Sequence, residues 1–435
     1  MILHQLTSKV KVIIKSEYLF SYRVFEKFLK TIISLLFLPI GILICVMIFL
    51  LRPLILIRLD ILIAERLGHF AANTELYVCE MQEGVNKPTG KYIDFWFFNY
   101  PICNKQLAKM WKRSRLNIAP FFIAEPTYWI LKKISPLKNH LIGLNSSHDR
   151  DVYHLLDKYE PSLSFSPEEL DKAKLLLNQL GIPNDSKYVC LTVRDSSYLK
   201  SALPWKDWTY HDYRDCDVRN YILAAEALTD LGYYVLRMGA SVDKPMETSN
   251  PMIIDYAFKG LRNDFLDVYL GATCDFCISN GTGYDALPYI FRRPILYVDH
   301  VPFGIINTFS KRNIATTKKH YLIEENRYMH LEEILKSPAM WYPNSHDFKF
   351  LGKIRLDESS PEEIKNVVLE MEGRYSNTWV TSDEDEQMQK YFWSLFPRND
   401  ETHGKYKHMK DLLHGKLYSR VGTDFLKTRL LKKFD

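Results

Sequence analysis

The segment Ile278-Ser279-Asn280-Gly281-Thr282-Gly283-Tyr284-Asp285-Ala286-Leu287-Pro288 follows a strand-like run and leads through Arg293-Pro294 into another, Ile295-Leu296-Tyr297-Val298. Strand, small Gly-rich turn, helix and strand is the order in which α/β folds build an anion site. Backbone N–H groups and the dipole of a helix start gather there, where sheet strands end. Ser279, Asn280, Gly281, Thr282 and Gly283 are therefore the candidate cradle for a phosphate or diphosphate, with a plain tight turn and helix cap as the alternative. Arg194 closes the strand-like run Tyr188–Val193, where a guanidinium can hold phosphate oxygens bidentately or pair instead with Asp195 or Asp215. Arg214, in the polar loop Tyr213-Arg214-Asp215, and Arg237, at the end of Tyr233–Arg237, are further candidate cations. The alternatives for these two are a solvated charge and a cap on sheet-end carbonyls.

A second strand, glycine turn and helix start lies at Glu65-Arg66-Leu67-Gly68-His69-Phe70, which makes it a second candidate ligand edge. His69 is the candidate base in it, because imidazoles titrate near neutral pH, although a histidine there can also serve only to fix the turn. Asp285 and Glu65 can accept hydrogen bonds from a ligand's hydroxyls, or act in structure alone.

The elements that must position these residues follow from the patterning. Leu54–Ile63 reads as a buried strand, and a helix is expected from Ala71 to Met81. Residues 82–150 are aromatic-rich and irregular. Ser166-Pro167-Glu168-Glu169 and Ser360-Pro361-Glu362-Glu363 carry the cap, first-turn proline and glutamates of helix starts. Strands at Tyr188–Val193, Tyr233–Arg237 and Ile253–Asp255 alternate with helices at Asn220–Leu231 and Asp264–Ala272, which argues for a parallel sheet covered on both faces. The expected organisation is a basic region and apolar segment over 1–53, an α/β domain over 54–180, a second over 181–375 and a peripheral helical tail over 376–435.

At 435 residues, with 47% hydrophobic and 25% charged residues, the chain is a globular protein long enough for two domains. Its net charge of +5 is too slight for a nucleic-acid footprint. Cys274 and Cys277 form the only CxxC pair. They fall in a strand-like run whose side chains alternate, so buried thiols in a reducing compartment are expected rather than a shared metal. Thr31–Leu51 carries no charge over 21 residues, which matches the roughly 20 needed to cross a bilayer. Lys9, Lys11, Lys15, Arg23, Lys27 and Lys30 precede it, and Arg52 and Arg58 follow. Pro39 and Gly41 at its middle offer a re-entrant bend that returns the chain to the cytoplasmic face, with a straight span as the alternative.

Two α/β halves with Gly-rich loops at strand ends resemble the GT-B glycosyltransferases, whose two Rossmann-like domains face a cleft where activated sugar and acceptor meet. The chain also resembles a bacterial family of predicted glycosyltransferases with Arg-Ile-Gly-His-Leu, Tyr-Arg-Asp, Gly-Tyr-x-Val-x-Arg-Met-Gly and Asp-Tyr-Ala elements. Here these read Arg66-Leu67-Gly68-His69-Phe70, Tyr213-Arg214-Asp215, Gly232–Gly239 and Asp255-Tyr256-Ala257, and the likeness spans roughly 55–432. More distantly, Gly283 and Pro294 keep the eleven-residue spacing of the loop over which heptosyltransferase-type enzymes seat the donor pyrophosphate.

The resemblance implies transfer of a sugar from a nucleotide-sugar donor to a membrane-associated or lipid-linked glycan acceptor, in bacterial surface-polysaccharide biosynthesis at the cytoplasmic face of the inner membrane. His69 and Arg194 would be catalytic. Ser279, Asn280, Gly281, Thr282, Gly283, Arg214, Arg237 and Asp285 would hold the donor, and Glu65, Arg66 and Gly68 would form the acceptor loop. The resemblance implies no metal or other cofactor, since GT-B enzymes stabilise the leaving diphosphate with a helix dipole and cationic side chains and no DxD element of the kind that binds a divalent ion in the other main glycosyltransferase architecture is read, and Asp383–Glu386 reads as a solvated helix face. A non-catalytic membrane protein that binds a nucleotide or glycan and recruits partners is the competing expectation.

Overall fold

The computed structural model describes residues 28, 31–32, 34–85, 87–143, 149–197, 200, 207–306, 310–396 and 419–431. The chain divides into two compact units, one of Met1–Arg66, Glu80–Ser146 and Tyr198–Asp207, the other of Leu67–Cys79, Ser147–Ser197 and Trp208–Asp435.

The first unit opens with α1 (Leu38–Leu51), entered through a turn at Phe37 with Pro39 in its first turn, where the missing N–H costs nothing. The uncharged stretch is thus not one long helix, and no helix among the described residues is long and apolar enough to cross a membrane. The basic residues ahead of it lie outside the described residues, whereas Arg52 and Arg58 after it are described. β1 (Leu56–Leu62) pairs in parallel with β2 (Tyr92–Phe98), and β2 with β3 (Asn117–Ile118). Arg58 and Asp94 are register partners, and the guanidinium grips the carboxylate bidentately at 2.7 and 2.6 Å.

The aromatic stretch that resists a sequence reading therefore contains regular structure. Besides β2 it holds α3 (Lys105–Lys112) and α4 (Phe121–Lys133). Pro126 sits inside α4, where it breaks the backbone ladder and hides the helical pattern. α4 packs on α1, Leu59 and Phe97. A Cβ on Gly41 would lie 3.1 Å from Thr127 N, so the two helix backbones nearly touch.

The helix α2 (Leu67–Glu83) starts in the second unit, with its first thirteen residues clustered there. α5 (Pro167–Leu180) carries the expected capping box at Ser166. A seven-stranded parallel sheet follows, built from β4 (Tyr188–Thr192), β5 (Tyr234–Arg237), β6 (Ile253–Ile254), β7 (Cys277–Ser279), β8 (Ile295–Tyr297), β9 (Ile314–Ala315) and β13 (Arg420–Val421). The helices α6 (Ile222–Asp230), α7 (Asp264–Thr273) and α8 (Ala286–Ile290) alternate with its strands. Every residue of β4 is buried, as a central strand covered on both faces requires. A separate antiparallel sheet joins β10 (Lys319–Leu322) to β11 (Arg327–Tyr328) and β12 (Ile354–Asp357). α9 (Leu331–Lys336) follows β11, and α10 (Pro361–Tyr375), with its own capping box at Ser360, packs on α6.

The strand order is β6-β5-β4-β7-β8-β9-β13. Read without the last strand it is the 3-2-1-4-5-6 order of doubly wound folds, so the connections reverse direction between β4 and β7.

The tail departs from the sequence reading. α11 (Asp383–Leu395) leads, beyond residues 397–418, to β13, which adds an edge strand to the main sheet before α12 (Thr423–Arg429). Asp385 is buried and binds Arg374 at 2.9 Å and Arg420 at 2.8 Å, so the acidic run is a tether for that edge strand and not only a solvated face. All seven cysteines are free, and Cys274 ends α7 while Cys277 opens β7.

Candidate functional site

The reversal between β4 and β7 opens a crevice at the carboxyl ends of those two strands, which is where ligands bind in open α/β sheets. The residues singled out by type and spacing meet there. Ser279 ends β7, and its hydroxyl donates to Asp285 at 2.7 Å while accepting from Gly281 N at 3.0 Å. Thr282 N donates to the same Asp285 carboxylate at 3.0 Å, and Tyr284 N to Thr282 Oγ1 at 3.3 Å. Much of the loop's N–H capacity is thus spent on holding its own shape. Burial pushes the Asp285 carboxyl up to about 6, against the pull of its Ser279 and Thr282 bonds. Asp285 is 8% exposed and builds the loop from inside.

Asn280 stitches the loop to its neighbours. Its carbonyl accepts from Arg194 N at 2.9 Å, and its amide donates to Arg214 O at 3.1 Å. Thr192, the last residue of β4, lies with its hydroxyl 3.1 Å from that of Thr282 across the reversal. Gly281 adopts φ +85°, and Arg214 Nη2 donates to its carbonyl. A Cβ here would meet the His300 ring at 2.8 Å and Arg214 Nη2 at 3.4 Å, so glycine is required by both backbone and neighbours.

Cations surround the loop. Arg194 pairs with Asp215 at 3.1 Å. Burial, then the adjacent Arg214 charge, pull the Arg194 guanidinium below its usual value, and Asp215 works in the other direction. Burial raises the Asp215 carboxyl to about 6 although Arg194 opposes it. Lys318 donates to the Asp215 carbonyl. Arg150 donates to the carbonyls of Ile305 and Ile306 at 2.8 and 2.9 Å. His300 is pushed down to about 3 by burial first, then by Arg214 and Arg150, and therefore stays neutral at physiological pH. Such a ring of positive charge in a low-dielectric setting favours an anion.

The Gly68 turn is brought to the same place. A Cβ on Gly68 would lie 3.3 Å from Gly283 Cα, so the start of α2 packs backbone against backbone on the loop. His69 Nδ1 faces Asn73 Oδ1 at 3.3 Å and Asp149 at 3.8 Å, which orients the ring by one nitrogen and leaves Nε2 for another partner. Glu65 and Arg66, by contrast, are exposed residues of the turn ahead of α2. Arg237 is 1% exposed and directs its guanidinium to Lys244 O, Asp255 at 3.2 Å and Asp195 at 3.7 Å, so it organises the end of β5.

A pocket of about 290 Å³ adjoins this cluster, lined by Tyr213, Asp215, Lys318, Phe348, Lys349 and Glu358. Tyr213 and Phe348 face each other with ring centres 5.5 Å apart. Near it Cys216, Asp299 and Glu358 place ligand-capable atoms within 4.8 Å of one another. The carboxylates already accept hydrogen bonds there, Asp299 from Ser359 N and Oγ, and Glu358 from Asp217 N and Asn220.

His300, Lys318, Arg150 and Asp149 were not singled out from the sequence. The signal for two of them was available, since His300 follows β8 and Lys318 follows β9 by three residues, close to the strand-end position of Arg194, two residues after β4.

No family model matches the chain, and no curated protein matches it. Among solved structures it is similar to a glycosyl transferase family 9 protein from Veillonella parvula, at 11% identity over 60% of this chain and 85% of that one, with a TM-score of 0.37. That likeness is too slight to carry an activity from one chain to the other.

Proposed function

We propose that this protein is a glycosyltransferase that takes a nucleotide-sugar donor and passes the sugar to a hydroxyl of a membrane-associated or lipid-linked glycan, in bacterial surface-polysaccharide assembly at the cytoplasmic face of the membrane. The observation that carries the reading is the doubly wound reversal between β4 and β7, where the Gly281 loop meets Arg194, Arg214 and a neutral His300, with Lys318 on the neighbouring Asp215 carbonyl. The donor diphosphate sits over that loop, and the nucleoside turns toward the Tyr213 and Phe348 rings of the adjoining pocket.

His69, oriented through Nδ1 by Asn73 and Asp149, takes the acceptor hydroxyl proton on Nε2. The acceptor oxygen forms its bond to the anomeric carbon as the bond from that carbon to the diphosphate oxygen breaks. The electron pair leaves with the nucleoside diphosphate, whose charge Arg214 and Arg194 meet.

The test is calorimetric binding and turnover of the intact protein across a panel of sugar nucleotides, with His69→Ala beside it. Transfer should fall by about 10²- to 10⁴-fold in that variant while donor affinity is kept. Binding without turnover of any donor would leave a nucleotide-binding protein instead, and undiminished transfer by His69→Ala removes the histidine from the reaction.

A further inference from the structure

The first unit leaves one face uncovered. α1 reads Leu-Pro-Ile-Gly-Ile-Leu-Ile-Cys-Val-Met-Ile-Phe-Leu-Leu, with only Gly41, Cys45 and Ile48 buried. Gly41 and Cys45 lie against Pro126 and Thr127 of α4. Leu38 packs on the core and Ile44 is half-buried, but most of the other apolar side chains are exposed, with Leu43 60% and Leu50 69% exposed. α4 adds Phe122 and Trp129, the latter 53% exposed. Soluble monomers rarely expose a contiguous apolar surface of this kind.

Charge identifies what covers it. The first unit holds 21 Lys and Arg against 9 Asp and Glu, a net charge of +12, whereas the second holds 36 against 43, a net charge of −7. The slight excess of the whole chain thus hides a strongly basic unit. Its exposed cations include Arg52 just after α1, Lys132 and Lys133 in the last turn of α4, and Lys112 and Arg113 at the end of α3. The regular helix α1 is by itself short for a span, because its 14 residues rise about 21 Å against roughly 30 Å of hydrocarbon, and a turn at Phe37 separates it from the helical residues before it.

We infer that the first unit binds an anionic phospholipid leaflet from one side, with the exposed face of α1 and the Phe122–Trp129 face of α4 in the acyl boundary and the basic residues among the headgroups. The helix pair enters the leaflet without crossing it. This deepens the membrane-bound acceptor proposed above, and it is tested without donor or acceptor, so that the two readings fail separately.

The experiment is flotation of the full chain with phosphatidylcholine vesicles, with and without phosphatidylglycerol, together with tryptophan quenching by lipids brominated at different depths. Binding should require phosphatidylglycerol, and Leu43→Gln with Leu50→Gln, exposed positions that leave the core intact, should weaken it at least a hundredfold. Lys132→Gln with Lys133→Gln should weaken it roughly twenty- to thirtyfold. Quenching should be strongest from bromines near the headgroups and should drop in Trp129→Phe.

Equal binding to neutral vesicles, binding untouched by either pair of substitutions, or strongest quenching from the bilayer centre overturns the inference. So does a lipid-independent dimer that both leucine substitutions dissociate, which would put a second copy of the chain on this face.

Discussion

Gly281→Ala separates a loop that is built for a ligand's charge from one that merely turns. Gly281 holds φ +85°, a region that costs an L-residue about 1–2 kcal/mol. Its new methyl would also lie 2.8 Å from the ring of His300, which is 7% exposed and hemmed by Tyr297 at 5.6 Å. Overpacking of this kind adds about 1–3 kcal/mol, so the total is about 2–5 kcal/mol. Gly283→Ala is the control. Gly283 is not in the left-handed region, and its methyl would meet Gly68 N at 3.4 Å, for a cost under about 1 kcal/mol. Urea denaturation followed by tryptophan fluorescence reads the stability difference, and calorimetry with a nucleoside diphosphate reads the site. Gly281→Ala should lower the unfolding midpoint well below that of Gly283→Ala. It should also weaken the nucleotide at least tenfold, because the methyl displaces both His300 and Arg214. Equal midpoints and unchanged affinity would refute the placement of those two side chains against the loop.

Arg214→Gln should weaken a nucleoside diphosphate about 10- to 100-fold, as loss of a charged hydrogen-bonding group does, and leave the bare nucleoside unaffected; equal losses for both ligands, read by calorimetry, count against a phosphate role. Asp285 titrates at about 6 in the folded chain against an ordinary 3.8, so its contribution to stability is full below about 3.8 and is lost as pH rises through about 6. Urea midpoints should therefore show Asp285→Asn gaining on the wild type by about 3 kcal/mol between pH 4 and pH 7, and a gap independent of pH contradicts the assignment. Arg292 lies 2.7 Å from Glu75, which is 0% exposed, so Arg292→Met should cost about 3–5 kcal/mol by stranding the carboxylate. Adding Glu75→Leu should recover most of that loss, and a single variant as stable as the wild type removes the pair from the core.

Local chemistry was legible in the sequence. The caps at Ser166 and Ser360 needed only four adjacent residues to be read, and both form the reciprocal bonds expected of them. Five strands of the main sheet, β4 to β8, were visible because each is a short apolar run closed by a polar residue or glycine. What was hidden depends on partners far along the chain. α4 was masked by Pro126, whose helix persists because α1 packs against it at Gly41. The edge strand β13 has two residues and no periodicity of its own, and it exists through its pairing with β9 and the Arg420 tether to Asp385. The uncharged run Thr31–Leu51 matched a bilayer in composition, whereas the regular helix Leu38–Leu51 that it contains is shorter than a span.

The site shows the same division between local and distant. Ser279 to Gly283 was found from its own small residues, but its neighbours were found only as isolated cations, because nothing local says that β4 and β7, 85 residues apart in sequence at Thr192 and Cys277, are adjacent. The reversed strand order makes them so, and it fixes the rest. Once β7 turns the connections to the other side of β4, the ends of β8 and β9 must lie beyond it on the same edge. They deliver His300 to the loop and Lys318 to the carbonyl of Asp215, the partner of the Arg194 that β4 delivers. A cation at a strand end is therefore weak evidence in a sequence alone and strong evidence once the strand order is known. For this chain the doubly wound order brings separate strand-end residues, spread from 194 to 318, to one edge of the sheet, the edge on which the proposed anion site rests.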